Sequence, residues 1–335
     1  MKIIIPMAGR GSRLRPHTLT VPKPLIPVAG KPMVQRIVED LASGYDGQVE
    51  EVAFIIGDFG AEVEKELIGI AERLGAKGKI YYQDKPLGVA HAILCAKESL
   101  QGNVFLAFSD TLFKADFHFD KNQDGVIWVK TVEDPSSFGV VKTDGQQIIT
   151  DFVEKSPVFV SDLAIVGLYY VREGEFLRQQ IQQLIDNNIK DKGEFQITSV
   201  LENMKAAGYK FKAQTIDEWL DCGNKQNIVD TNRRILQIKS KTEQLRHPTA
   251  VIENSVIIEP CFIGRGTKIT NSVIGPYVSI GHQSSIDNSN IKNSVIQDNT
   301  VVENAMFDNS MIGNKVKYEG RVSDISIGDF THFKE

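Results

Sequence analysis

The 335-residue sequence has 41% hydrophobic and 24% charged residues and a formal net charge of −5, a composition typical of a globular chain long enough for two domains. This slight acidity argues against nucleic acid as a partner, and no apolar stretch approaches the roughly 18 residues that a membrane span needs. Three widely spaced cysteines, Cys95, Cys222 and Cys261, favour neither a disulfide framework nor a zinc site. We therefore expect a cytoplasmic protein that binds neither membrane nor nucleic acid.

The chain opens with a short apolar run, residues 3–5, which predicts a buried strand followed by a basic loop. Seven Lys or Arg residues and no acid precede Glu39, and six of the twelve prolines fall between residues 6 and 32. Gly9 and Gly11 allow backbone N–H groups to come close to a ligand. A stiff, positively charged loop with glycines favours a polyphosphate site over a solvated surface loop.

Strands and helices then alternate in a pattern that predicts a mostly parallel sheet with helices on both faces. The predicted strands are residues 52–56, 79–83 and 103–108, and the predicted helices are residues 33–42, 62–74 and 88–100. In such sheets, ligands bind at the carboxyl ends of the strands. Because the Gly9 loop, Gln83 and Asp110 all follow predicted strands, we expect them to form one site.

From residue 126 onward, strands separated by turns predominate. Strands are predicted at residues 126–132, 139–142, 148–154, 163–171 and 209–214, and helices at residues 175–187 and 195–207. A polar amphipathic helix is predicted over residues 225–245. Its position before a change in composition indicates a connector to a second domain.

That change comes at Ala250. An apolar residue recurs every six positions from Val251 to Ile269, and an asparagine recurs every five from Asn299 to Asn314. Short apolar ridges with Gly and Asn at the corners predict a parallel β-helix in preference to an antiparallel meander. We therefore expect three parts: a first domain over residues 1–228, a connecting helix over residues 229–248 and a β-helix domain over residues 249–335.

Two aspartates are candidate metal ligands. Asp110 follows an apolar strand, and Asp221 lies between apolar residues and a glycine. Mg²⁺ usually takes only one or two protein carboxylates, together with waters and phosphate oxygens. Each aspartate alone is better interpreted as a turn residue that bonds its own backbone. Together with the basic loop, they favour a Mg²⁺–nucleotide site.

Other polar residues give weaker signals. Glu154 could accept hydrogen bonds from vicinal hydroxyls and Lys155 could pair with a phosphate, although their spacing alone fits an exposed ion pair better. The amide of Gln83 could read one edge of a base, or it could be a solvated loop side chain. His17 and His91 have no second His or Cys nearby to complete a metal set, so we interpret both as structural.

Several longer motifs occur along the first 230 residues. They are Gly9-Arg-Gly-Ser-Arg-Leu-Arg-Pro-His-Thr18, Lys23-Pro-Leu-Ile-Pro-Val28, Lys31-Pro-Met33, Gln83 to Ala90, Phe138-Gly-Val140, Val153-Glu-Lys155, Gly167-Leu-Tyr169, Gly193-Glu-Phe-Gln-Ile-Thr198 and Trp219-Leu-Asp-Cys-Gly223. With these motifs, residues 3 to about 230 resemble the sugar-1-phosphate nucleotidyltransferases, especially glucose-1-phosphate thymidylyl- and uridylyltransferases. The resemblance implies a Rossmann-like α/β fold and an enzyme that transfers a nucleotidyl group from an NTP, dTTP or UTP above all, to a sugar 1-phosphate, glucose 1-phosphate by default, with release of pyrophosphate.

The resemblance also implies roles for individual residues. It implies a catalytic role for Arg13, on the leaving pyrophosphate, for Lys23, on the phosphates at the reacting centre, and for Asp110. It implies nucleotide binding by Ala8, Gly9, Gly11, Ser12, Gln83 and Gly88. It implies sugar-phosphate binding by Gly139, Glu154, Lys155 and Ile165, and Mg²⁺ binding by Asp110 and Asp221.

Two positions depart from the family's usual pattern. Ala8 stands where glycine is usual, and Cys222 stands where threonine is usual; neither change removes a charge, so we expect activity. The alternative is a non-catalytic, ligand-sensing subunit of the same fold. Such subunits usually lose the charged site residues, all of which remain here, and this favours the enzyme.

The C-terminal repeats resemble the left-handed, hexapeptide-repeat β-helix of long pyrophosphorylases. In such relatives this domain serves oligomerisation, regulation or acetyl transfer to a sugar phosphate. Here it carries only His282 and His332, without evident catalytic surroundings. We therefore expect it to assemble a homo-oligomer, with acetyl transfer as the alternative.

Overall fold

The computed structural model describes residues 1–9, 11–115 and 117–322. The chain forms two compact units, each with its own hydrophobic core. The first unit contains residues 1–26 and 31–224, and the second contains residues 27–30 and the chain from Lys225. No helix in the part of the chain that the structure describes has the length and apolar character that a membrane span requires.

The first unit is a sheet flanked by helices. Its helices are α1 (Met33–Gly44), α2 (Ala61–Arg73), α3 (Val89–Cys95), α4 (Gly174–Asp186) and α5 (Ile197–Ala206). The strands up to residue 224 are β1 (Lys2–Pro6), β2 (Pro27–Val28, in the second unit), β3 (Lys31–Pro32), β4 (Glu51–Ile56), β5 (Lys77–Tyr82), β6 (Val104–Ala107), β7 (Thr111–Lys114), β8 (Gly125–Thr131), β9 (Gly139–Thr143), β10 (Ile149–Glu154), β11 (Leu163–Val171), β12 (Phe211–Thr215) and β13 (Glu218–Asp221).

Strand β1 lies in the middle of the main sheet, parallel to both β4 and β6, and β5 continues the parallel half. The strand order is β10-β9-β11-β6-β1-β4-β5, and β8 pairs with both β11 and β12. Antiparallel pairs are made by β11 with its neighbours and by β9 with β10. The predicted class, a mixed and mostly parallel α/β sheet flanked by helices, is confirmed.

Burial on both faces explains why the parallel strands are apolar runs. Every residue of β4 is buried, and residues 3–5 of β1 are fully buried. Helix α1 presents one apolar stripe to the sheet, with Val34, Ile37, Val38 and Leu41 buried at helical spacing. Because β1, β4, β5 and β6 pair in parallel, their carboxyl ends share one edge of the sheet. Ligands bind at this edge in open α/β folds.

Two local features differ from the sequence prediction. Helix α3 ends at Cys95 rather than at residue 100, because tighter i→i+3 bonds, such as Ala96 N–H to Ile93 O and Ser99 N–H to Ala96 O, replace the α-helical pattern. Strands β7 and β13 were not predicted. They are four residues long and pair antiparallel across more than a hundred residues of sequence, so local periodicity carries no sign of them.

The second unit contains helix α6 (Lys225–Lys239) and a stack of short strands. These strands are β14 (Val251–Glu253), β15 (Val256–Ile257), β16 (Phe262–Ile263), β17 (Lys268–Thr270), β18 (Val273–Ile274), β19 (Ser279–Ile280), β20 (Ser285–Asp287), β21 (Asn290–Lys292), β22 (Val295–Ile296), β23 (Val301–Glu303), β24 (Met306–Asp308), β25 (Met311–Ile312) and β26 (Lys317–Glu319). They form three parallel ladders, in which Val251 pairs with Lys268 and Val301 pairs with Lys317. The predicted parallel β-helix is confirmed.

The apolar ridge fills the β-helix, with one exception. Ile263, Ile269, Ile274, Ile280 and Ile286 are buried, but Val251 is 45% exposed and its neighbour Ile252 packs against the core instead. Asparagines occupy corners with positive φ, a conformation that Asn tolerates better than most residues. These are Asn254, Asn271, Asn288, Asn293, Asn299, Asn304 and Asn309. Residues 323–335 of the predicted β-helix domain, including His332, lie outside the described residues.

Helix α6 packs within the second unit through a buried amide. Asn232 is fully buried, and its Oδ1 accepts hydrogen bonds from Ala29 N–H at 2.8 Å and from the Ser279 hydroxyl at 2.7 Å. One side chain thus ties α6 both to the segment 27–30 and to the β-helix. The helix ends at Lys239, six residues before the predicted end.

Candidate active site

A cleft of about 460 Å³ lies at the carboxyl edge of the parallel strands. It is lined by the loop after β1, by residues that follow β5 and by the end of β6. The lining includes the predicted residues Ala8, Gly9, Gly11, Ser12, Arg13, Lys23, Gln83, Gly88 and Asp110. The structure therefore brings together the three strand ends that the sequence predicts to meet. Arg10, another basic residue of the loop, lies outside the described residues.

Gly11 allows the basic loop to fold against Lys23. Its φ is +64°, and a Cβ at this position would lie 2.7 Å from the Lys23 Cβ. The Thr18 hydroxyl donates to Gly11 O at 2.8 Å, and the following 3₁₀ turn, Ser12–Leu14, is anchored by the buried side chain of Leu14. These contacts hold residues 11–18 of the loop together and place Gly11 against Lys23.

Lys23 and Asp110 form an ion pair in this cleft. Lys23 Nζ lies 3.2 Å from Asp110 Oδ2; the lysine side chain is 10% exposed and the aspartate side chain 48% exposed. A largely buried ammonium group needs such a partner, because desolvation is otherwise costly. The Ser109 hydroxyl donates to Pro6 O at 3.3 Å, which ties the end of β6 to β1. The pair joins a fixed cation to a carboxylate that water and ligands can reach.

The β7–β13 pair brings the chain at Asp221 next to Asp110. Asp221 is opposite Thr111, and Cys222 N–H donates to Asp110 O at 3.2 Å. The two predicted metal ligands are therefore adjacent in the backbone, although Asp221 is not among the described residues that line the cleft. Across residues 1–9, 11–115 and 117–322, no cluster of three or more His, Cys, Asp or Glu residues suited to a metal ion occurs.

Gln83 and Gly88 also line the cleft, and Gly88 lies against the segment before α5. Gly88 has φ +113°, and a Cβ here would lie 2.6 Å from both N and O of Phe195, so only glycine fits without displacement of the backbone. Gln83 Nε2 donates to Gly88 O at 3.2 Å and also lies 3.2 Å from His91 Nδ1. The sequence predicts a structural role for His91, and the structure places its ring against Gln83.

The predicted sugar-phosphate residues form a second group, and none of them belongs to the described lining of the cleft. Pairing of β9 with β10 places Gly139 opposite Glu154. Gly139 also lies close to Ile165, because a Cβ at position 139 would be 3.5 Å from Ile165 Cδ1. The Glu154 carboxylate is 10% exposed; Oε2 accepts a hydrogen bond from the Thr198 hydroxyl at 3.0 Å, and Oε1 lies 3.5 Å from Lys155 Nζ. A nearly buried acidic side chain is thus held by one hydrogen bond and one ion pair.

A short stretch of chain connects this second group to the cleft. Glu194 lines the cleft, and Thr198, four residues later, binds Glu154. Phe108 also lines the cleft, and its ring centroid lies 5.7 Å from that of Tyr169, whose pKa is raised by burial and by the charge of Glu154. Phe108, Glu194 and Thr198 were not predicted as site residues. The motif from Gly193 to Thr198 was the signal for the last two.

In the β-helix, His282 is engaged in bonds between coils. Its Nδ1 accepts from Arg265 N–H at 2.9 Å, and its own N–H donates to Asp298 Oδ1 at 2.7 Å. These bonds give the residue a structural role at a coil corner.

The fold places a cleft, lined by a basic loop that contains glycines, at the carboxyl edge of the sheet, where α/β folds bind their ligands. The chain belongs to the nucleotidyl transferase family, whose sequence model matches residues 2–238. Enzymes of this family generally use a divalent metal. The predicted family is therefore confirmed.

Two proteins are similar to the chain in sequence, and one solved structure shares its fold. The chain is 32% identical over 248 residues to the low-salt glycan biosynthesis nucleotidyltransferase Agl11 of Haloferax volcanii. That alignment covers 72% of this chain and 67% of Agl11. The chain is 28% identical over 311 residues to the glucose-1-phosphate thymidylyltransferase of Streptomyces griseus. That alignment covers 86% of this chain and 85% of the Streptomyces protein. A solved UDP-glucose pyrophosphorylase, complexed with UDP-glucose, shares the fold with a TM-score of 0.58 and 22% identity, over 71% of this chain and 98% of that chain.

Proposed function

We propose that the protein transfers a nucleotidyl group from an NTP, dTTP or UTP by preference, to a sugar 1-phosphate, and releases pyrophosphate. Glucose 1-phosphate is the default acceptor. The observation that carries the proposal is the cleft in which the Gly11 loop, the Lys23–Asp110 pair and Gln83 meet, in a chain of the nucleotidyl transferase family. The alignment with a glucose-1-phosphate thymidylyltransferase over 86% of the chain supports the choice of base and sugar.

The reaction needs positive charge more than it needs a base. An oxygen of the sugar phosphate attacks the α-phosphorus in line with the departing pyrophosphate, and this oxygen is already an anion. Two unit charges of the same sign at 4 Å repel by about 4 kcal/mol at an effective dielectric constant of 20, and several such pairs meet here. We assign Arg13 to the pyrophosphate and the buried Lys23 to the phosphates at the reacting centre. Ala8, Gly9 and Ser12 would contact the triphosphate.

We propose Mg²⁺ as the metal, held by Asp110 and Asp221. The donor set fits, because Mg²⁺ takes few protein carboxylates and prefers oxygen ligands, and the β7–β13 pairing makes these two aspartates neighbours. The lack of a larger cluster among the described residues agrees with a metal that also uses substrate oxygens. When bound, the metal would supply charge that neutralises the phosphates.

We assign the sugar phosphate to the second group of residues. The Glu154 carboxylate, fixed by Thr198 and Lys155, is suited to accept hydrogen bonds from sugar hydroxyls. Lys155 is 46% exposed and is available to a phosphate. Gly139 and Ile165 would shape the wall beside the sugar.

We also infer that catalysis belongs to residues 1–228 and that residues 249–335 assemble a homo-oligomer, joined by the segment 229–248. In support, one ladder of the β-helix exposes Val256 and Met306, which are 57% and 86% exposed. Light scattering coupled to size exclusion tests this: the mass of a single chain would contradict it. Cytoplasmic location agrees with an NTP substrate and with three cysteines that form no disulfide.

A pyrophosphate-release screen tests the reaction. Five nucleotides, ATP, CTP, GTP, UTP and dTTP, are each combined with a panel of sugar 1-phosphates, with Mg²⁺ and with EDTA. We expect release that requires sugar phosphate and Mg²⁺ together and is fastest with dTTP or UTP. No release from any combination would reject the proposal and favour the non-catalytic, ligand-sensing alternative.

A further inference from the structure

The Gln83 amide is held from two directions. Its Nε2 lies 3.2 Å from Gly88 O and 3.2 Å from His91 Nδ1. A backbone carbonyl only accepts hydrogen bonds, so the amide atom beside Gly88 O is the NH₂ group, and its two hydrogens are shared between these two acceptors. The Gln83 side chain makes no other hydrogen bond to the described residues. Oε1 is therefore the part of this amide that remains for a ligand in the cleft.

The ring of His91 is carried on fixed backbone. Helix α3 begins at Val89, and its first turn is anchored by Ala90 N–H to Phe195 O at 3.0 Å and by Ala92 N–H to Gly88 O at 3.1 Å. An accepting Nδ1 requires a neutral imidazole with its hydrogen on Nε2. Burial, and to a lesser extent the charge of Lys85, lower the pKa of His91, which agrees with the neutral form.

A fixed amide discriminates between pyrimidines. Uracil and thymine present a ring N3–H between two carbonyl oxygens, whereas cytosine presents an unprotonated N3 beside an amino group. An accepting Oε1 complements the N3–H and repels the lone pair of cytosine N3. A freely rotating amide could turn its NH₂ group to cytosine and lose this preference.

We propose that His91 is a positioning residue that fixes the polarity of the Gln83 amide and so makes the cleft prefer a base with a ring N–H at this edge. The inference rests on the proposed function, because it concerns the nucleotide part of that site. His91 acts through Gln83 and not through contact with the reacting atoms.

Three variants of the full chain separate this role from simple packing. His91→Leu removes the acceptor but keeps an apolar side chain of similar reach. His91→Asn keeps an acceptor, because Asn Oδ1 and His Nδ1 are both bonded to Cγ. His91→Gln moves the amide one bond outward, away from the position of Nδ1. UTP and CTP are the probes, since they differ only at N3 and at the substituent on C4.

The measurement is the ratio of UTP to CTP affinity by isothermal titration, alongside KM for glucose 1-phosphate. We expect wild type to prefer UTP, and His91→Leu and His91→Gln to lower that preference about tenfold, the effect of losing roughly one net hydrogen bond. His91→Asn should stay within about threefold of wild type. KM for glucose 1-phosphate should not change in a variant that retains its wild-type thermal unfolding.

An unchanged ratio in both His91→Leu and His91→Gln would overturn the proposal. So would an equal loss of both nucleotides, or the same loss of preference in His91→Asn, because either result indicates packing alone. If His91→Leu does not fold, His91→Gln carries the test. A wild-type protein that prefers UTP but transfers nothing would reject the proposed reaction and leave the role of His91 standing, so the two failures are distinguishable.

Discussion

Lys23 and Asp110 are 87 residues apart in sequence, yet Lys23 Nζ lies 3.2 Å from Asp110 Oδ2. The lysine comes from the basic loop that follows the first strand, and the aspartate comes from the end of β6. Since the lysine is almost buried and the aspartate is half-exposed, the cation is fixed while the carboxylate stays accessible. A phosphate held by the loop and a metal held by the carboxylate would therefore meet at this pair.

The Asp110→Asn substitution tests the metal assignment. Asn keeps the size and one accepting oxygen, so we expect a folded protein, but the loss of charge should lower turnover at least about 100-fold at every Mg²⁺ concentration. Pyrophosphate release over a Mg²⁺ titration measures this. Asp46→Asn, at an exposed site outside the cleft lining, is the control. Release close to the wild-type rate would remove Asp110 from the metal site.

Lys155→Ala tests the sugar-phosphate assignment. Loss of the ammonium group should raise KM for the sugar 1-phosphate about tenfold while KM for the NTP changes far less, because Lys155 lies in the second group and not in the described cleft lining. Initial rates with each substrate varied in turn measure both constants. Lys142→Ala, on the exposed face of β9, should leave both unchanged. Equal increases in the two constants would contradict the assignment.

Thr198→Val removes the hydroxyl that donates to Glu154 Oε2 and keeps the shape of the side chain. The nearly buried Glu154 side chain then keeps only its ion pair with Lys155, and a hydrogen bond to a charged group contributes about 1.5–3 kcal/mol. We expect KM for the sugar 1-phosphate to rise about tenfold or more, with KM for the NTP nearly constant. Thr198→Ser keeps the hydroxyl and should resemble wild type. A Val variant that resembles Ser would show that Thr198 does not position Glu154.

Local sequence patterns predict most of the fold. The apolar runs at residues 3–5 and 52–56 become central strands because both faces of the sheet are covered, and residues 263 and 269 fill the β-helix because each coil repeats the same inward position. The phase of that repeat was wrong at Val251, where the first coil has no preceding coil to fix it.

The site could be predicted only in part, because some of its contacts depend on pairing between distant segments. The charges and glycines of the basic loop marked the cleft, and the motifs marked Glu154. The adjacency of Asp110 and Asp221 depends on the short β7–β13 pair, and the roles of Thr198 and His91 depend on side chains from neighbouring elements. No periodicity within one segment encodes such contacts.

Asn232→Leu tests the tie between α6 and the β-helix. The substitution leaves Ala29 N–H and the Ser279 hydroxyl without their acceptor in a buried place, at a cost of about 1–3 kcal/mol for each group. We expect a lower midpoint of thermal unfolding, with the turnover of the folded enzyme retained at low temperature. Arg233→Gln, an exposed change on the same helix, should shift stability by no more than about 0.5 kcal/mol. An unchanged midpoint for the Leu variant would contradict this role of Asn232.

In the proposed reaction, one bound NTP gives its nucleotidyl group to a sugar 1-phosphate. The direct measurement uses dTTP or UTP labelled with ³²P at the α-phosphate, incubated with the full chain, Mg²⁺ and glucose 1-phosphate, and follows the label by chromatography. We predict that the label moves into the nucleotide sugar while the released pyrophosphate stays unlabelled. Label that remains in the NTP, or that leaves it equally well without the sugar phosphate, would contradict the claim.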